Sequence, residues 1–313
     1  MLLSTLFLVG GFLLLILSGD FLVKGAVSLA LKFKLSSLVI GMTIVSFGTS
    51  APELLVSVDA ALSGFPDITV GAIVGSNISN IALILGLTAI IFPIAVQRAT
   101  IRTDWPMMMF STLLFVSFVI DGVLSAIEGV VLFSSLVVFI TWLIYNSRKN
   151  HQLPAMAEEL DESVKSMPIW KAVFFIGLGA LGLVFGADLM LEGAVDIARK
   201  FEVTERVIGL TIVAFGTSLP ELITSCVAAY RKEADISIGN LIGSNIFNLL
   251  AILGITAMIH PIDVSQSIIN FDNYVLVGIS ALIFPLIYFG KQVSRMKGVF
   301  LVVFYVIYIY SLF

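Results

Sequence analysis

A chain of 313 residues, 59% hydrophobic and only 12% charged, with a mean hydropathy of +1.09, excludes a soluble enzyme with a polar surface. It predicts a polytopic helical membrane protein. The net charge of −4 falls mostly in short loops and points to no nucleic-acid partner. The single cysteine, Cys226, excludes an internal disulfide and reads as inert packing among apolar neighbours.

Ten spans follow in chain order. The first runs from about Leu2 to Leu31, and the absence of a basic n-region makes it a span and not a cleaved signal. Then come Ser36 to Leu62, Ile68 to Phe92, Trp105 to Ile120 and Ile127 to Tyr145. A polar stretch, Asn146 to Met167, precedes Ile169 to Ala198, Val207 to Tyr230, Ile236 to Ile259, Tyr274 to Phe289 and Gly298 to Leu312. The first and sixth spans, at about 45 Å, exceed a hydrocarbon core of about 30 Å, so they tilt strongly, slide or bend.

The second half repeats the first. Residues 20–96 align with 188–264 without a gap at an offset of 168, and 40 of the 77 pairs are identical. The predicted fold is therefore an all-α polytopic membrane protein with ten transmembrane helices in two five-helix repeats. The repeats span 1–146 and 168–313, joined by a linker loop at 147–167. An odd number of spans per repeat forces the two into opposite, inverted topology.

Loop charge sets the orientation. With the N-terminus outside, thirteen Lys and Arg fall in inner loops and three in outer loops. Both termini are then extracytoplasmic in a cell (inner) membrane, and the linker is cytoplasmic. Its acidic cluster, Glu158 to Glu162, reads as a solvated face.

The motif VSFGTSAPELLVS, Val45 to Ser57, recurs as VAFGTSLPELITS, Val213 to Ser225. An acidic residue at the centre of a span costs about 2.5–3.5 kcal/mol on insertion scales. Pro52 and Pro220 lack the N–H that would bond the Gly48 and Gly216 carbonyls, which predicts a broken helix in each copy. Non-helical backbone at that depth is tolerated only in packed protein or beside water.

Ser46, Thr49, Ser50, Glu53 and Ser57 recur at intervals of three and four, so they share a helix face, as do Ala214, Thr217, Ser218, Glu221 and Ser225. The third and eighth spans add Ser76, Asn77, Asn80 and Ser244, Asn245, Asn248. Freed carbonyls, hydroxyls and two carboxylates make an oxygen cradle suited to cations. A lone hydroxyl or amide in a membrane helix serves packing equally well, but two matched intramembrane Glu do not reduce to packing. Asp20, Asp188 and Lys24 read as interfacial pairs before gating residues, and Asp59 as a solvated helix end. His151, His260 and Cys226 form no transition-metal signature.

The paired GTSAPE and GTSLPE, each followed about 23 residues later by GSNI-N, resemble the α-repeats of the cation/calcium antiporters, most of all the prokaryotic sodium/calcium exchanger branch. The resemblance covers all ten spans. It implies four cation sites in a diamond, with first and sixth helices that slide between inward- and outward-open states. It also implies Ca²⁺ held by Glu53 and Glu221 with the Thr49 and Thr217 carbonyls. Sodium sites would be completed by Ser50, Ser218, Ser76 and Ser244 with carbonyls near Ser46 and Ala214, and Asn80 and Asn248 would occupy the central position. Some relatives, including potassium-dependent ones, carry Asp in the second copy where this chain has Asn248.

These readings converge on a Na⁺/Ca²⁺ antiporter that is electrogenic and potassium-independent, with the two ions and the bilayer as partners and no cofactor. A Ca²⁺/H⁺ or other cation/H⁺ antiporter on the same scaffold is the alternative. An intramembrane hydrolase at Ser50 or Ser218 lacks a His or Lys base at usable spacing. A passive channel suits deep charged ligands poorly.

Overall fold

The computed structural model describes residues 1–63, 66–149, 162–203, 208 and 214–312, which are mostly helical. In chain order the helices are α1 (Leu2–Phe33), α2 (Ser37–Leu62), α3 (Thr69–Ile91), α4 (Thr100–Asp121), α5 (Ala126–Lys149), α6 (Ile169–Lys200), α7 (Leu219–Tyr230), α8 (Ala234–Ile259), α9 (Ile268–Lys291) and α10 (Arg295–Ser311). Among the described residues, eight of these are long and apolar enough to cross a membrane, and α7 and α10 are shorter. Each predicted span meets a helix. Helices α4 and α9 begin earlier than predicted, because Thr100–Asp104 and Ile268–Asp272 wind into π-helical turns that form their first residues. Most of the linker, including Glu158 to Asp161, lies outside the described residues, as do residues 209–213 ahead of α7.

Helices α1 and α6 pack against each other along their length because small residues recur every seventh position. A Cβ on Gly11 would come within 2.7 Å of the Gly186 carbonyl oxygen, and one on Gly179 within 2.7 Å of that of Ser18. Gly25 meets Ala172, and Gly193 meets Ser4. Low numbers in α1 face high numbers in α6, so this matched pair runs antiparallel. Small side chains let the backbones touch, the usual basis of helix association in lipid.

The two halves also interlock. The fifth helix of each half crosses to the third span of the other, through Gly298 against Gly86 and Gly129 against Gly254. The sequence predicts helices alone, yet the loops hold two short antiparallel strand pairs. Strand β1 (Ile94–Ala95) pairs with β4 (Gln292–Val293), and β2 (Val123–Leu124) with β3 (Ile262–Asp263). The reason is backbone satisfaction: extended connections between helices must find partners for their N–H and C=O groups.

One expectation is corrected. The first motif is not broken at Pro52, which lies inside a continuous helix over Ser46–Leu62. A π-helical turn at Gly41–Val45 precedes it, and such wide turns absorb backbone that a regular α-helix cannot. In the second copy the chain does turn, at Thr217 and Ser218, before Pro220 takes a first-turn position of α7. There the missing N–H costs nothing.

Candidate cation site

The polar faces of α2, α3, α7 and α8 meet in the interior. Glu53 Oε1 accepts a hydrogen bond from Ser76 Oγ at 2.6 Å. Ser50 and Asn248 lie around the same carboxylate, and Thr49 and Ser50 around Glu221. The two carboxylates are near neighbours with Ser50 beside both, so one acid from each motif copy faces the same polar cluster.

Thr49 Oγ1 lies 3.2 Å from the Ser46 carbonyl, 3.3 Å from Asn240 Oδ1 and 3.5 Å from Ser244 Oγ. The Ser46 hydroxyl is occupied by the Gly41 and Asn240 carbonyls, at 2.8 and 3.0 Å. Ser218 is buried at the N-cap of α7, Thr217 is exposed beside it, and Ala214 opens the short helix Ala214–Gly216. Asn80 and Asn248 each begin a π-helical turn, a feature frequent at functional sites. Asn77 and its sequence mate Asn245 meet, with Asn77 Nδ2 donating to the Asn245 carbonyl at 3.4 Å.

Buried polar atoms are normally bonded, yet several here have no hydrogen-bond partner within the protein. They are Ser50 Oγ, Glu53 Oε2, both Glu221 carboxylate oxygens and the side-chain amides of Asn80 and Asn248. Carboxylate, hydroxyl, amide and carbonyl oxygens suit hard cations such as Ca²⁺. No cluster of three or more His, Cys, Asp or Glu ligands occurs among the described residues, so such an ion would rely on neutral oxygens around a carboxylate pair.

Among the described residues, access is one-sided. A cavity of about 190 Å³ reaches Glu53 and Ser76, walled by Val56, Ala72 and Asp188 and by Thr217 of the second copy. Shifted by 168 residues, those positions become Glu221, Ser244, Thr224, Asn240, Asp20 and Thr49. Five of these six are sealed: Glu221, Ser244, Thr224, Asn240 and Thr49 are each at most 2% exposed. The same site is thus open at its Glu53 mouth and shut at its Glu221 mouth.

Asn240, which the motif reading passes over, and Asp188, which it read first as an interfacial pair, belong to this arrangement. Asn240 holds Ser46 and Thr49, and its Nδ2 donates to Ser225 Oγ at 3.1 Å. Its signal in the sequence is its place one turn before Ser244 on the same face. Asp188 stands in the wall of the open cavity, where pairing was expected first. Its mate Asp20 is paired, with Lys24 at 2.9 Å and with Arg231.

A family model described as sodium/calcium exchanger protein matches twice, over residues 3–145 and 171–313, and the offset is again 168 at both ends. The chain is 32% identical to the sodium/calcium exchanger MaX1 of Methanosarcina acetivorans over 98% of each protein. It is 35% identical to the inner membrane protein YrbG of Escherichia coli over 96% of this chain and 93% of that one. A solved structure of the sodium-calcium exchanger NCX_Mj, soaked with 10 mM Na⁺ and zero Ca²⁺, superposes with a TM-score of 0.84 at 33% identity, covering 100% of this chain and 99% of that one. A multi-pass membrane protein so matched belongs to the sodium/calcium exchanger family, a family of transporters and not of enzymes.

Proposed function

We propose that this protein is a Na⁺/Ca²⁺ antiporter that works by alternating access, with ten spans in two inverted repeats, 1–146 and 168–313, joined through 147–167. The observation that carries the reading is the shared Glu53–Glu221 site, open at one mouth and sealed at the other. Support for inversion comes from the antiparallel run of α1 and α6. Inverted repeats with substrate sites at their interface are a recurrent transporter plan.

Calcium is the cargo of Glu53 and Glu221 with the Thr49 and Thr217 carbonyls. Sodium takes the positions around Ser50, Ser76, Ser218 and Ser244 and the carbonyls near Ser46 and Ala214, with Asn80 and Asn248 at the centre. Two carboxylates carry −2, which one Ca²⁺ or two Na⁺ neutralise, so the ions compete for one cradle. Empty, the paired like charges resist reorientation, and exchange follows in place of leak. With three Na⁺ bound the site carries +1, and with one Ca²⁺ it carries 0, so the cycle moves charge without potassium. Inner loops rich in Lys and Arg favour extracytoplasmic termini in the cell membrane, and the open Glu53 mouth then faces outward.

The test is calcium uptake into proteoliposomes with an outward sodium gradient at clamped pH, beside uptake driven by a pH gradient without sodium. Uptake under the first condition alone is expected. Uptake under the second alone would replace this reading with Ca²⁺/H⁺ exchange.

A further inference from the structure

The two mouths are built from matched positions, yet their charges are not matched. At the sealed Glu221 mouth, Gly19 of α1 lies against Ile223 and Val227 of α7. The next residue, Asp20, pairs with the Arg231 guanidinium just past the end of α7, through both Nε and Nη2. Lys24 Nζ lies 2.9 Å from the other Asp20 oxygen. One carboxylate is therefore held by two cations, and the pair ties α1 to α7 across the mouth.

The open mouth has the same geometry available and none of that chemistry. The offset of 168 turns Asp20 into Asp188, Lys24 into Glu192, Val227 into Asp59 and Arg231 into Ser63. Asp188 and Glu192 are exposed on α6, and Asp59 on α2. If the Glu53 mouth closes as its twin is closed, Ala187 and Asp188 come against Leu55, Asp59 and Ser63. Three carboxylates then converge where the sealed mouth has an acid and two bases. No basic residue stands at any of the four matched positions.

We propose that the mouths are electrostatically unequal gates. The Asp20–Arg231–Lys24 latch holds the Glu221 mouth shut, while Asp188, Glu192 and Asp59, lacking an arginine at Ser63, oppose closure of the Glu53 mouth. The ion-free protein therefore rests with the Glu53 mouth open, and a cation in the cradle offsets the repulsion that closing creates. This inference rests on the alternating-access reading.

Two thiol reporters test it on ion-free full-length protein in detergent, with Cys226→Val, the residue at its mate Val58, as background. Val56→Cys reads the open mouth, where Val56 is 63% exposed. Thr224→Cys reads the sealed one, where Thr224 is 0% exposed. Arg231→Ala should raise maleimide labelling of Thr224→Cys up to about fivefold, the scale of a partly exposed ion pair, and slow that of Val56→Cys. Ser63→Arg, which supplies the missing partner for Asp188, should also slow Val56→Cys. The charge exchange Asp20→Arg with Arg231→Asp should return both rates to the parent values.

Loosened packing alone would raise both rates and would not be reversed by the charge exchange, which overturns the latch. Rates within twofold of the parent in both Arg231→Ala and Ser63→Arg overturn it as well. Sodium-driven calcium flux in the two reporter parents separates the premises. Flux with unmoved labelling removes the latch alone, and opposed labelling shifts without flux remove the exchanger reading.

Discussion

The two copies of the GTS-PE motif hold the same residues in different states within one molecule. Around Glu53 the helix runs unbroken through Pro52, Ser76 donates to the carboxylate, and a cavity of about 190 Å³ reaches it. Around Glu221 the chain turns before Pro220, neither carboxylate oxygen has a partner within the protein, and the residue is 1% exposed. Nine of the thirteen motif positions are identical, including the Gly, Thr, Ser, Pro and Glu, so those shared residues are not what sets the two copies apart. What differs is the surroundings, and two of those differences are written in single residues: Ala72 against Asn240, and Ser63 against Arg231. On the proposed alternating-access reading, a duplicated site with one mouth open and one shut displays both ends of the cycle at once. Under that reading, exchanging the conformations of the repeats would be the motion that moves access across the membrane.

The largest expected effect tests whether the unlike acids do the same work. Glu53→Gln and Glu221→Gln each keep side-chain volume and remove one of two charges facing a divalent ion. Breaking a buried charge pair costs about 3–5 kcal/mol, so calcium flux in either variant should fall more than about a hundredfold while the protein still inserts. Wild-type-like flux in one variant would mean that only one copy binds calcium.

The close contact between α1 and α6 should be the next most sensitive. Gly179→Leu drives a side chain into the Ser18 backbone, whereas Gly177, two residues away, has open space at its Cβ position. Overpacking of this kind costs about 1–3 kcal/mol or more. Gly179→Leu should lower thermal stability and flux sharply, and Gly177→Leu neither. Equal tolerance at both positions would show that α1 and α6 do not need close contact.

Asn240→Ala gives the sealed copy the residue of the open one. It removes a buried amide that bonds Thr49 and Ser225, at a cost of about 1–3 kcal/mol. Thermal unfolding of the ion-free protein should move down by that amount, and Ala72→Asn should not reproduce the loss. Protons should produce the smallest change, by competing with calcium for the two carboxylates. Apparent calcium affinity should weaken as pH falls, and saturating calcium should restore flux. Acid inhibition that calcium does not relieve would point away from the site.

Much of this was legible in the sequence, for identifiable reasons. Spans follow from hydropathy because lipid demands apolar, internally bonded helices. The placing of Glu53 and Glu221 near one another follows from a repeat strong enough to align without gaps, since matched acids in duplicated segments are expected at one interface. The seven-residue spacing of Gly11, Ser18 and Gly25, and of Gly179 and Gly186, was equally readable as a packing stripe. What was not legible depends on neighbours remote in sequence. Pro52 predicted a break, but the helix over Ser46–Leu62 runs through it, with a π-helical turn at Gly41–Val45 ahead of that helix. The turns opened by Asn80 and Asn248 have no local sequence signal, and the open or shut state of a mouth belongs to the whole fold.

The central claim is that one acid from each copy supplies all the fixed charge of the transport site. Its most direct test is the initial rate of calcium uptake into sodium-loaded proteoliposomes at clamped potentials, with and without potassium. A site carrying −2 moves charge only when loaded with three sodium ions, so uptake should be faster with the inside positive and should need no potassium. In Asn248→Asp a third acid makes the loaded states −1 and 0, which should shift the voltage dependence onto the calcium step and add a pH- or potassium-dependent component. Wild-type uptake that ignores voltage, or that requires potassium, would contradict the account.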